Sequence, residues 1–195
     1  AEQVLRDQVN DAVPPGAAYP ADLQVRVVRL ALGTVVDALL DACGPDVDLI
    51  VTGTHSKTGL SRWLLGSTSA AILAETTCAT LLVPQGQLEI VRLEPDRAVL
   101  RPGAVLVAVD LEEDNPRQLA LASQCAARAG QPLVALTVVP VGGDMAVAEQ
   151  ALRARVAEVV PAPVSKCLVR QGSVVESIDL AAIEEHAGLV VMGLN

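Results

Sequence analysis

Apolar positions along this chain follow two periods in turn. Short apolar runs at 49–51, 81–83, 104–109, 133–139, 164–169 and 189–192 read as strands, the first of them a buried strand over 47–52. The stretch 23–32 alternates apolar with polar, as a half-buried strand does. Between these runs, apolar residues recur at helical spacing. Val4, Leu5, Val9 and Val13 mark a helix over 1–13, and further helices are predicted at 34–43, 67–75, 145–159 and 173–186. Gly44-Pro45 ends the helix at 34–43. Asn115-Pro116 opens another, with asparagine as cap and proline in the first helical position. The charged, turn-rich stretch 85–103 reads as a linker. Strands alternating with helices imply right-handed crossovers and a mostly parallel sheet sandwiched between helices.

The pattern occurs twice. Ala1-Glu2-Gln3-Val4-Leu5-Arg6 returns as Ala148-Glu149-Gln150-Ala151-Leu152-Arg153. Gly33-Thr34-Val35-Val36-Asp37 returns as Gly172-Ser173-Val174-Val175-Glu176, and Leu49-Ile50-Val51-Thr52-Gly53 as Leu189-Val190-Val191-Met192-Gly193. The separations are 147, 139 and 140 residues, so the first copy holds an insertion between 14 and 23. Three matches in the same order indicate a tandem duplication. The two domains are then 1–95 and 96–195, each an incomplete copy in this chain. The first lacks its N-terminal strand–helix–strand part. The second stops just after its match to Gly53, where the loop, helix and last strand of the first copy would have their counterparts, so flanking segments are expected on both sides.

Composition narrows the picture. Of 195 residues, 51% are apolar but only 1% aromatic, which leaves Val, Leu, Ile and Ala to build the core, as suits a buried parallel sheet. No uncharged run reaches the roughly 20 residues a membrane span needs. A net charge of −9 argues against nucleic acid and anionic membranes as partners. Cys43, Cys78, Cys125 and Cys167 form no C-x-x-C pair and read as apolar fillers in a reducing cytoplasm.

The stretch 48–84 is the richest in chemistry. A strand ends at Gly53; His55, Ser56, Lys57, Gly59 and Arg62 fill the loop; Gly66-Ser67-Thr68 opens a helix that leads to a strand stopped by Pro84. Amide N–H groups at a helix start and the positive end of its dipole suit a phosphate, and glycines let it approach. The plainer reading of the same residues is a strand exit and a Ser/Thr helix cap. Lys57 and Arg62 are either phosphate partners or solvated loop cations, and Trp63 is an anchor of the loop. Elsewhere, Asp110 ends the strand 104–109, where an aspartate can initiate a turn. The acids Glu112, Glu113 and Asp114 after it would repel phosphate in the second copy or complement the next helix start.

This stretch resembles the universal stress protein family. The family's phosphate signature is Gly, two residues, Gly, nine residues, Gly, then Ser or Thr. Gly53, Gly66 and Ser67 keep that spacing, Ser56 stands in place of the second glycine, and the flanking strands and Pro84 agree. The resemblance implies a Rossmann-like α/β fold of the adenine nucleotide alpha hydrolase type. It implies a stress-response or regulatory protein that binds ATP or a related adenine nucleotide, with Mg²⁺ as a possible companion. The site residues it implies are Gly53, His55, Ser56, Lys57, Gly66, Ser67 and Thr68, with Asp110, Val139 and Gly193 marking the corresponding region of the second copy. It also implies a homodimer or an intrachain pseudo-dimer through Leu81, Leu82 and Val83. The alternative is a nucleotide-free regulatory or scaffolding module of the same fold, which Ser56 and the acids after Asp110 favour. No spacing places a base beside a nucleophile or gathers metal ligands, so no catalytic residue is assigned and at most weak ATP hydrolysis is expected.

Overall fold

The computed structural model describes residues 3–5, 7–8, 24, 26–28, 33–44, 46–54, 66–84, 91–94, 97–100, 103–113, 116–160 and 164–193. The chain divides into two compact units, Ala1–Glu89 with Leu93–Ala98, and Ile90–Arg92 with Val99–Asn195.

In the first unit, residues 3–5 and 7–8 are helical. Helix α1 (Val35–Cys43) begins at a reciprocal cap. The Asp37 N–H donates to Thr34 Oγ1 at 3.1 Å, and the Thr34 N–H donates to Asp37 Oδ2 at 2.7 Å. Those bonds from Thr34, the backbone N–H first and the side chain next, hold the Asp37 carboxyl below the usual carboxylate range. Gly44 ends α1, and β1 (Leu49–Thr54), α2 (Ser67–Glu75) and β2 (Ala79–Pro84) follow. β1 and β2 are parallel and in register from Leu49 opposite Ala79 to Thr54 opposite Pro84. Val36, Ile50 and Ile72 form the buried core of this unit.

Two sequence expectations are corrected here. The strand expected at 47–52 runs instead from Leu49 to Thr54, and only one of its faces is covered. Ile50 and Thr54 are buried while Leu49 and Val51 are about half exposed. The strand expected at 23–32 is not one at its described positions, Gln24, Arg26, Val27 and Val28. Alternation there names a face but supplies no neighbouring ladder to complete a strand.

The expected linker 85–103 contains two strands, β3 (Val91–Glu94) and β4 (Arg97–Leu100), which pair with each other. The alternation Val91-Arg92-Leu93-Glu94, followed by the turn-forming Pro95-Asp96, carries the signal that the charge of this stretch obscured.

The second unit holds β5 (Val105–Ala108), α3 (Pro116–Ala129), β6 (Leu133–Val139), α4 (Met145–Val159), β7 (Lys166–Gln171), α5 (Val174–Glu184) and β8 (Leu189–Val191). Its four strands are parallel in the order β7-β6-β5-β8. Successive residues of the central strands feed opposite faces. Val105, Val107, Leu133 and Ala135 pack with Leu119, Ala122 and Ala126 of α3 and Leu152 and Val156 of α4. Leu106, Val134 and Leu136 pack with Ile178 and Ala181 of α5. Burial on both sides explains why these strands read as continuous apolar runs.

Candidate functional site

The Gly53–Thr68 region is built by one strand end and one helix start. Parallel pairing brings the carboxyl ends of β1 and β2 side by side, with Gly53 opposite Val83. Ser69, buried in the first turn of α2, donates its hydroxyl to the Gly53 carbonyl at 3.3 Å. That bond sets the amino end of α2 at the exit of β1. The first intrahelical bond runs from the Ala70 N–H to the Gly66 carbonyl at 2.9 Å. The amides ahead of it have no partner within the helix.

At this helix start the Ser/Thr cap is not formed. The N-cap is Gly66, with no side-chain cap bond and no acid in the first turn, and Ser67 and Thr68 are exposed. By contrast, Thr34 caps α1, Asp144 caps α4 through the Ala146 and Val147 N–H groups, and Ser173 caps α5. Among the described residues no side chain occupies the amide donors at the α2 start, where the positive dipole end suits an anion.

Neither glycine is demanded by its neighbours. A Cβ on Gly66 would meet nothing within 4 Å among the described residues, and one on Gly53 would meet only the Val83 carbonyl, at 3.9 Å. Gly66 has φ −63° and ψ 154°, which any residue adopts. His55, Ser56 and Lys57, with Arg62 and Trp63, lie outside the described residues.

Asp110, Val139 and Gly193 all lie at the carboxyl ends of strands of the second unit's sheet. They follow or close β5, β6 and β8, which are adjacent strands. The connections through β6 and β7 run to one side of β5, and the chain then returns to place β8 on the other. The strand order therefore reverses between β5 and β8, the position where open α/β sheets take ligands, with Asp110 and Gly193 on its two sides.

The groups there are already engaged in part. Asp110 is exposed, and its Oδ1 accepts from the Glu112 N–H at 2.9 Å, the geometry of a turn-forming aspartate. The Val139 carbonyl accepts from the Gly172 N–H at 3.0 Å. The Gln171 side chain donates to the Gly143 carbonyl at 2.8 Å, tying the β6 exit to the end of β7.

Sequence reasoning missed two residues. Ser69 was hidden behind its neighbours Ser67 and Thr68, although a hydroxyl in the third helical position was the available signal. Gln118, in the first turn of α3, buries its Oε1 without a hydrogen-bond partner among the described residues. No sequence feature marked it. Among the described residues no group of three or more His, Cys, Asp and Glu side chains is placed to hold a metal ion. No described helix is long and apolar enough to cross a membrane.

The first unit thus combines two parallel strands with a helix that starts, without a side-chain cap, at a strand exit. Residues 17–84 match the model of the Universal stress protein family, the family that the 48–84 motif resembles. Among solved structures, a putative universal stress protein from Pseudomonas aeruginosa UCBPP-PA14 is 16% identical, with a TM-score of 0.56 over 83% of this chain and 56% of that one. That likeness shows a shared fold, and the chain spans little more than half of that protein. A universal stress protein in complex with cAMP is 20% identical over 46% of this chain and 70% of its own, with a TM-score of 0.38. One from Archaeoglobus fulgidus is 22% identical over 48% and 77%, with a TM-score of 0.35. No curated protein matches the chain.

Proposed function

We propose that this chain is a cytoplasmic stress-response or regulatory protein that binds ATP or a related adenine nucleotide through its first unit. Gly53, Gly66, Ser67 and Thr68 cradle the phosphates, with His55, Ser56 and Lys57 in the intervening loop. The observation that carries the reading is the start of α2. It has no side-chain cap, and the Ser69 bond to Gly53 holds it at the exit of β1. In the second unit, Asp110, Val139 and Gly193 occupy the equivalent adenine-side and strand-exit positions of a duplicated copy. The repeat gains support from matched local geometry: Gly33 and Gly172 both take positive φ, +89° and +109°, each just before a hydroxyl cap. The domains are 1–95 and 96–195, and Leu81, Leu82 and Val83 of β2 offer a pairing edge for a dimer or pseudo-dimer.

One observation favours a nucleotide-free role for the second unit. The Asp110 carboxylate is committed to the Glu112 N–H and is followed by exposed acids, a poor setting for a polyphosphate. Calorimetric titration with ATP, inorganic triphosphate and cAMP tests both readings. One saturable ATP site that triphosphate competes for is expected. Two equivalent sites would overturn the assignment to the first unit, and heat-free titration with all three would favour the scaffolding alternative.

A further inference from the structure

Among the described residues of the first unit, an open surface pocket of about 300 Å³ lies at the amino end of the strands, away from the cradle. It is lined by the end of α1, the approach to β1 and the approach to β2. Two of its lining residues are thiols, Cys43 and Cys78. Both are half-buried, and both pack on the core of Val36, Ile50 and Ile72. Cys78 donates its Sγ–H to the Val47 carbonyl at 3.1 Å, and Val47 also lines the pocket. Cys78 immediately precedes Ala79, which pairs with Leu49, two residues beyond Val47. Cys43 is the last residue of α1, and Gly44, at φ +67°, is the C-cap that follows it. The two thiols therefore line one pocket and pack on one core cluster. The other thiols belong to the second unit, Cys125 on α3 and Cys167 on β7.

We propose that Cys43 and Cys78 form a dithiol modification site that a hydroperoxide converts reversibly into an intrachain disulfide. In the first step one thiolate attacks the peroxide. An S–O bond forms, the O–O bond breaks, and the departing oxygen takes up a proton to leave as water or an alcohol. In the second step the other sulfur attacks the resulting sulfenic acid. The S–S bond forms, the S–O bond breaks, and hydroxide leaves with the attacking thiol's proton as water. Two thiols lose two electrons and two protons, and the peroxide is reduced. The disulfide joins the end of α1 to the start of β2 and closes a loop of about 35 residues, which in sequence contains Gly53, Gly66 and the whole 48–77 stretch. Oxidation would thus fasten the segment that carries the cradle without touching the cradle itself.

Tryptic cleavage separates the four cysteines into different peptides, 30–57, 63–92, 118–128 and 167–170. The native full chain is treated with hydrogen peroxide, alkylated, and mapped by mass spectrometry with and without dithiothreitol. The expected result is a reducible cross-link between peptides 30–57 and 63–92, with Cys125 and Cys167 still alkylated and the chain monomeric on a non-reducing gel. In Cys43→Ser, dimedone should instead trap a sulfenic acid at Cys78 or find it unreacted. The proposal is overturned if the wild-type chain gives only sulfinic acids, only interchain disulfides, a cross-link involving Cys125 or Cys167, or no oxidation at Cys43 and Cys78.

Discussion

Replacing Gly66 with aspartate separates the two uses of a helix start. Its φ and ψ suit any residue, and a Cβ there meets nothing within 4 Å among the described residues. Aspartate would supply the cap that α2 lacks, worth a few tenths of a kcal/mol over glycine. Its charge at the positive dipole end adds about 0.3–1 kcal/mol. Together they amount to roughly 0.5–1 kcal/mol, which for a chain of this length raises Tm by about 1–4 °C. The same carboxylate occupies the amides that would hold phosphate and repels it. Thermal unfolding followed by circular dichroism, with and without ATP, reads both effects. At ATP 100-fold above Kd the wild-type chain should gain about 2.7 kcal/mol, and Gly66→Asp close to none. A variant that is more stable yet gains as much from ATP as the wild type would refute the cradle. A variant that is destabilised would refute the reading that Gly66 is dispensable for folding.

Ser69→Ala removes the bond that sets α2 against β1 and should cost about 1 kcal/mol in urea unfolding, with weaker ATP binding. An unchanged urea midpoint would show that the bond does not position the helix. Gly33→Ala and Gly172→Ala both force a side chain into positive φ, but only at Gly33 does the new Cβ meet Asp37 Oδ2, at 2.9 Å. The Gly33 variant should therefore lose about 0.5–2 kcal/mol more than its counterpart, the worth of a helix cap; equal losses in denaturant would contradict this. The depressed Asp37 carboxyl contributes stability that is present above its unfolded-state pKa and lost as pH falls through the lower folded value. NMR titration of its side-chain carbon should find that depression, and Asp37→Asn should abolish the associated acid sensitivity.

The elements legible from sequence are those with hard punctuation. Leu133–Val139 lies between Pro132 and Pro140, and Met145–Val159 begins at the Asp144 cap, so both matched their predicted bounds. Where punctuation was soft, tertiary pairing decided. The 23–32 alternation had nothing in sequence to say whether a neighbouring strand would accept it, whereas β3 and β4, discounted for their charge, found each other. Motif spacing located a strand end near Gly53 and a helix start at Gly66, because both features are local. It did not reveal Ser69, whose role depends on a contact sixteen positions away, or the turn bond that engages Asp110.

Trp63 is the only tryptophan of the chain and lies in sequence between Gly53 and Gly66. Its fluorescence, titrated with ATP from micromolar to millimolar, tests the nucleotide claim most directly. A saturable change is expected, tightened by Ser56→Gly and lost in Gly66→Asp. A flat titration accompanied by an unchanged Tm would contradict nucleotide binding by the first unit.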